Sequence, residues 1–183
     1  MRAFQKSLKE FGETIKIKKD EFARPIFKFL VFIKVSPLTL SFLALFLGLA
    51  GAFYLTISRG VFLILVALGW IFDLFDGGLA RYKNDCSGQG FWFDYILDRI
   101  VVLSVMVAVF FISGRDNILY IFVPLLYCVV HLIYAFNRGK LVLIYVHPIY
   151  FLLTYFNIFY ASVFFLTVNI INLCLFVFFK KIA

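Results

Sequence analysis

DLFDGGLARYKNDCSGQGFWFDYILD, residues Asp73 to Asp98, places four of the chain's ten acidic residues at helical spacings inside a sequence that is otherwise mostly apolar. Asp73 and Asp76 are three apart, and Asp94 and Asp98 are four apart. On a helix either spacing puts both carboxylates of a pair on one face. Ionisable groups inside a membrane segment are costly and mark function. Four carboxylates at close range need a cation, because like charges cannot all stay ionised without one. The stretch therefore predicts two helices facing each other across a site for a hard divalent metal.

The surroundings set the solvent. Of 183 residues 64% are hydrophobic and 21% aromatic, with 26 phenylalanines. A soluble domain of this length has too little interior to hide that surface. The predicted class is an all-α integral membrane protein, one bundle without a second domain. The formal charge of +8 fits attraction to anionic lipid on the cytoplasmic leaflet, and no nucleic-acid partner is expected. Cys86, Cys128 and Cys174 show neither metal spacing nor an even count, and read as small apolar fillers. No early apolar run marks a cleavable signal peptide.

Working outward, residues 1–35 interleave Phe4, Leu8, Phe11, Ile15, Phe22 and Phe27 with Lys6, Lys9, Lys16, Lys18, Lys19, Arg24 and Lys28. That pattern predicts a basic amphipathic juxtamembrane segment lying on the membrane surface, with Pro25 starting its second helix. Residues 36–183 form the expected catalytic domain of six transmembrane helices. The spans run over about 38–58, 61–82, 90–113, 118–136, 141–156 and 158–179 by the twenty-residue rule. Pro37 suits the first turn of the first span, and Pro148 reads as a kink in the fifth. With six spans both termini share a side. That side also receives Arg81, Lys83, Arg138, Lys140, Lys180 and Lys181, while only Arg59 and Arg115 fall opposite. The positive-inside rule places the crowded side, and all four aspartates, toward the cytoplasm.

On the second span Asp73, Asp76, Gly77 and Ala80 fall in one narrow sector. Such a face offers carboxylates to a metal and bare backbone to a flat ligand. Arg81, just outside the sector, can fork onto phosphate oxygens. On the third span Gly90, Asp94 and Asp98 share a face. Inward carboxylates on facing helices build di-metal sites in bundles. All-oxygen ligation favours Mg²⁺, Mn²⁺ or Ca²⁺ over zinc. Two such ions can clamp a diphosphate while one phosphorus is transferred, and a partly free carboxylate can serve as base.

The complete pattern is Asp-x2-Asp-Gly-x2-Ala-Arg-x8-Gly-x3-Asp-x3-Asp, from Asp73, Asp76, Gly77, Ala80 and Arg81 to Gly90, Asp94 and Asp98. It resembles the signature of the CDP-alcohol phosphatidyltransferases, membrane enzymes of phospholipid synthesis. The six spans and the basic N-terminus resemble that family too. The resemblance implies that Asp73, Asp76 and Asp94 hold two Mg²⁺ or Mn²⁺ ions, with Asp98 as a further ligand and the base. It implies CDP-lipid contacts at Gly77, Arg81 and Ser87, beside Ala80 and Gly90. The family's Pro-Asn-x-x-Thr at the first span is here Pro37-Leu38-Thr39-Leu40-Ser41. The hydroxyl is kept as Ser41, which the resemblance implies as a further contact of the CDP-lipid's nucleotide, and the amide is lost at Leu38. Homodimerisation is implied as well. Tyr95 and Arg99 stand where users of glycerol phosphate carry proline and lysine. The Asp98-Arg99 ending is more similar to users of inositol phosphate, which suggests a phosphorylated polyol acceptor held by Arg99, Arg138 or Lys140. Glycerol phosphate and an amino alcohol stay open as acceptors.

Other readings compete. The aspartates could pair structurally with Arg81 and Arg99, but two arginines cannot neutralise four carboxylates. Gly77 and Ala80 could serve tight helix packing. Arg99 could snorkel or pair with an acid. Arg138 and Lys140 could simply set topology, and His131 and His147 could be hydrogen-bonded packing residues. A divalent-metal transporter would explain the acids but not Gly77, Ala80 and Arg81, and would favour acids nearer the bilayer middle. A prenyl transferase also grips metal-diphosphate with aspartates, but lacks the Gly-x2-Ala-Arg pattern.

Overall fold

The computed structural model describes residues 20–84, 88–113, 118–136 and 147–180. Helix α1 covers the described residues 20–32. It is followed by α2 (Pro37–Leu55), α3 (Arg59–Tyr82), α4 (Gly88–Ser113), α5 (Leu119–Phe136), α6 (His147–Phe156) and α7 (Ile158–Lys180). No strand occurs among the described residues.

Local chemistry sets several of the boundaries. Ser36 caps α2, its hydroxyl accepting the Thr39 N–H at 3.1 Å, and Pro37 occupies the first helical position, where its missing N–H costs nothing. Helix α1 ends with Lys34 at φ 58° and the Val35 N–H donating back to the Leu30 carbonyl at 2.9 Å. This is the wide closing bond of a left-handed C-cap. Asn157 separates α6 from α7, and its side-chain oxygen accepts the N–H groups of Phe159 (2.9 Å) and Tyr160 (3.2 Å).

Among the described residues five helices, all but α1 and α6, are long and apolar enough to cross a membrane. Large side chains such as Phe46, Phe111 and Phe136 face outward on them, as lipid-facing surfaces require. The ten described residues of α6 are too few to span by themselves. The rest of the expected fifth span, 141–146, lies outside the described residues, as does the expected surface helix before residue 20.

Pro25 departs from the sequence expectation, while the kink expected at Pro148 falls at the edge of the described residues. Pro25 lies within α1 rather than at its start. It frees only the carbonyl of Glu21, an exposed residue whose oxygen water or headgroups can satisfy. Pro148 is the second residue of α6 as described, while Pro124 lies inside α5. There it frees the Tyr120 carbonyl.

The chain resolves into two compact units. The described residues of Met1–Phe46 and Leu68–Leu97 form the first, and those of Leu47–Ala67 and Asp98–Ala183 the second. In the first, Ala23, Phe27, Leu40 and Leu79 make a buried cluster with Leu30, Val35, Phe72 and Phe75 packed around it. The Phe27 ring lies so close over Gly78 that a Cβ there would overlap it. Lys83 Nζ donates to the Val35 carbonyl at 2.7 Å.

In the second unit α7 packs against α5 and α6. Helix α5 buries Tyr120, Val123, Tyr127, Val130 and Tyr134, one stripe at steps of three and four. Small residues let backbones approach. A Cβ on Gly48 would stand 2.6 Å from Val101 Cγ1, and one on Gly51 2.8 Å from Val66 Cγ2. Thr154, Ser162 and Asn169 turn their polar groups back onto carbonyls of their own helices, the usual satisfaction of such groups away from water.

Candidate functional site

Asp76 stands on the inner face of α3, and only 3% of it is exposed. Ser41, on the second turn of α2, is also buried. The Ser41 hydroxyl donates to Asp76 Oδ2 at 2.6 Å and lies 3.3 Å from Asp94 Oδ1, on α4. The Pro37 carbonyl is 3.3 Å away on its other side. One hydroxyl has one proton, so the short contact to Asp76 takes it. The second Asp76 oxygen accepts the Gly77 N–H. Carboxylates from two helices thus converge on one side chain of a third. Asp73, one turn before Asp76 on α3, is half-buried. Among the described residues no three Asp, Glu, His or Cys side chains come together as a group that could hold a metal ion; the carboxylates that meet at Ser41 are Asp76 and Asp94.

Arg81, in the last turn of α3, makes a two-pronged ion pair with Asp20 of α1. Its Nε donates to Oδ2 at 2.6 Å and its NH2 to Oδ1 at 2.9 Å. The other guanidinium nitrogen, NH1, lies 3.5 Å from where a Cβ on Gly77 would be. The bare backbone beside Asp76 is therefore covered by the arginine. Ala80 is half-buried, Gly90 exposed near the start of α4, and Leu38 exposed.

Asp98 is exposed on α4. Arg99, the next residue, turns the other way and does not snorkel: it is 8% exposed. Its NH1 meets the Tyr127 hydroxyl at 3.3 Å and the His147 ring nitrogens at 3.2 and 3.4 Å. His131 stacks on Tyr127 with ring centres 4.2 Å apart. The two histidines are therefore part of one polar cluster around a buried arginine. Ser87, Arg138 and Lys140 lie outside the described residues.

Sequence reasoning singled out neither Asp20 nor Tyr127. Both carried a signal. Asp20 lies three and seven residues before Ala23 and Phe27, the docking face of α1. Tyr127 lies in the apolar stripe of α5.

The family profile for CDP-alcohol phosphatidyltransferase matches residues 34–179. A search of curated proteins returns no match. Among solved structures the chain is similar to the apo form of phosphatidylinositol phosphate synthase (PgsA1) of Mycobacterium tuberculosis, with a TM-score of 0.68 at 17% identity. The match covers 82% of this chain and 94% of that one. At this identity the likeness establishes a shared fold.

Proposed function

The chain belongs to the CDP-alcohol phosphatidyltransferase family, and we propose that it transfers a phosphatidyl group from a CDP-lipid such as CDP-diacylglycerol to an alcohol, releasing CMP. The observation that carries this reading is the meeting of Asp76 and Asp94 at Ser41. A buried carboxylate, Asp76, and a half-buried one, Asp94, around a single hydroxyl proton form an oxygen-only donor set with more negative charge than protons, which suits a hard divalent ion. Asp73, Asp76, Asp94 and Asp98 would hold two Mg²⁺ or Mn²⁺ ions, which would neutralise the diphosphate and stabilise the departing phosphate.

The remaining work falls to the protein. Arg81 and the Gly77 backbone receive the diphosphate, with Ala80, Ser87 and Gly90 flanking the nucleotide and lipid. Asp98 takes the proton from the acceptor hydroxyl. That oxygen attacks the phosphorus bonded to the lipid, the bond from this phosphorus to the bridging oxygen breaks, and CMP leaves with that oxygen.

The acceptor we propose is a phosphorylated polyol such as inositol phosphate. Tyr95 and Arg99 at the motif's variable positions support this, and so does the similarity to a mycobacterial phosphatidylinositol phosphate synthase. Arg99, Arg138 and Lys140 supply cationic donors for its phosphate. The resemblance also implies a homodimer with the site facing the cytoplasm.

The test is CMP release by the purified protein across a panel of acceptors, with and without Mg²⁺ or Mn²⁺. Inositol phosphate is expected to give the highest kcat/KM. Release with glycerol phosphate or an amino alcohol alone would move the acceptor while keeping the chemistry. Metal flux without CMP release would replace the enzyme by a transporter.

A further inference from the structure

We propose that Asp20 is a positioning residue for the transfer: its carboxylate holds the Arg81 guanidinium across Gly77, so that α1 sets the aim of the arginine that receives the diphosphate. This rests on the reading of Arg81 as a CDP-lipid contact given above. Both Asp20 oxygens are used, at 2.6 and 2.9 Å from Nε and NH2. A fork gripped by both oxygens is fixed in plane as well as in distance. The orientation it imposes leaves NH1 over Gly77, the residue that follows Asp76 in the chain.

Three features set this pair apart from a chance surface contact. Its side chains are only 38% and 22% exposed, so solvent screens it less than an open pair. Asp20 belongs to the docking register of α1, which continues through Ala23, Phe27 and Leu30, and Phe27 is locked over Gly78. The carboxylate is therefore carried by an element already anchored to α3. Finally, an arginine in the last turn of a helix is favoured by the helix dipole, so the end of α3 needs no acid for its own stability. What an arginine on its long side chain lacks is a fixed direction. Ordering it before substrate arrives removes that cost from binding.

The experiment is initial-rate CMP release with CDP-diacylglycerol and the acceptor varied in turn, alongside thermal melts, for wild type, Asp20→Asn, Asp20→Ala, Asp20→Glu, Arg81→Ala and the exposed neighbour Glu21→Gln. Loss of one charge-assisted contact predicts that Asp20→Asn and Asp20→Ala lower kcat/KM for the CDP-lipid by about ten- to a hundredfold. The acceptor KM is expected to stay unchanged, Asp20→Glu to recover most of the loss, and Glu21→Gln to behave as wild type. If Asp20→Asn keeps kcat/KM for the CDP-lipid, or loses melting temperature without any shift in that constant, the proposal is overturned while the function stands. If the wild type releases no CMP, the function falls and this proposal with it. If only Arg81→Ala is impaired, Arg81 keeps its role and Asp20 loses the one assigned here.

Discussion

Ser41 has one proton and two carboxylates within reach, and that imbalance makes it the most informative single residue in the chain. The family resemblance puts this hydroxyl on the nucleotide; the geometry puts it on the carboxylates. The two roles separate in kinetics. A side chain that orients metal ligands changes metal affinity by about ten- to a hundredfold when removed. Ser41→Ala is therefore expected to raise the Mg²⁺ or Mn²⁺ concentration at half-maximal activity by about that factor, with kcat at saturating metal nearly kept. It also leaves buried Asp76 short of a donor, at a cost of about 1–3 kcal/mol in stability. A fall in kcat/KM for the CDP-lipid at saturating metal, with the metal requirement unmoved, would return Ser41 to the nucleotide. Asp98 is the complementary case. Exposed on α4, it can meet an acceptor hydroxyl arriving from solvent. Asp98→Asn keeps the shape and loses the base, so CMP release should drop by about 10²–10⁴-fold, the usual range for a general base. The melting temperature should hold. The motif aspartates could be read from sequence because their spacing is a one-dimensional pattern. The meeting of Asp20 with Arg81 could not, because the two are 61 residues apart and no periodicity links them.

At the level of elements, α2 to α5 and α7 follow their sequence spans closely. Their ends coincide with a serine–proline cap, an arginine or lysine run, or an asparagine cap, each a short-range signal. The docking of α1 is a different matter. Amphipathic periodicity shows that a helix has an apolar stripe, not what the stripe covers, and the whole segment reads as bilayer-facing. In the structure Ala23 and Phe27 are buried against α3 while Phe22, Ile26 and Phe29 stay exposed. The helix thus has two apolar faces, one for protein and one for lipid. Gly78 is the socket for the first of these. Two effects oppose each other in Gly78→Ala. Removing glycine from a helix interior gains about 1 kcal/mol. Overpacking a closed core costs about 1–3 kcal/mol. With Phe27 only 1% exposed its ring has no open direction to retreat, so the clash wins. A net loss of stability is expected, visible as a lower melting temperature, and Phe27→Ala should cost about 3–5 kcal/mol. In the double variant Phe27→Ala/Gly78→Ala the clash is gone, so Gly78→Ala made on Phe27→Ala should stabilise. If it destabilises there by as much as it does alone, the socket is not the reason for the glycine.

For the whole molecule the open structural quantity is the parity of its membrane crossings. Five described helices are long enough to cross, and α6 contributes ten described residues. The fifth span expected from sequence, 141–156, would be roughly 24 Å long as a continuous helix at 1.5 Å per residue, against a hydrocarbon core of about 30 Å. Length alone therefore leaves the sixth crossing marginal, and charge has to arbitrate. If α6 does not cross, Lys180 and Lys181 fall on the side opposite the basic N-terminus, together with Arg59 and Arg115. If it crosses, that far side keeps only Arg59 and Arg115. Short loops and ends rich in lysine and arginine are held in the cytoplasm, so the even count fits the charges better. Arg59 supports the same conclusion locally. Its NH1 lies 3.5 Å from the carbonyls of Tyr155 and Phe156, where a cation caps the negative end of α6. That brings the end of α6 level with the start of α3, the end of α3 expected to face away from the cytoplasm. Helix α6 would then descend to that face and α7 return from it. Topology reporters fused at residue 1 and at residue 183 are accordingly expected to give cytoplasmic signals at both positions. A cytoplasmic signal at residue 1 with an external one at residue 183 would mean that α6 re-enters without crossing.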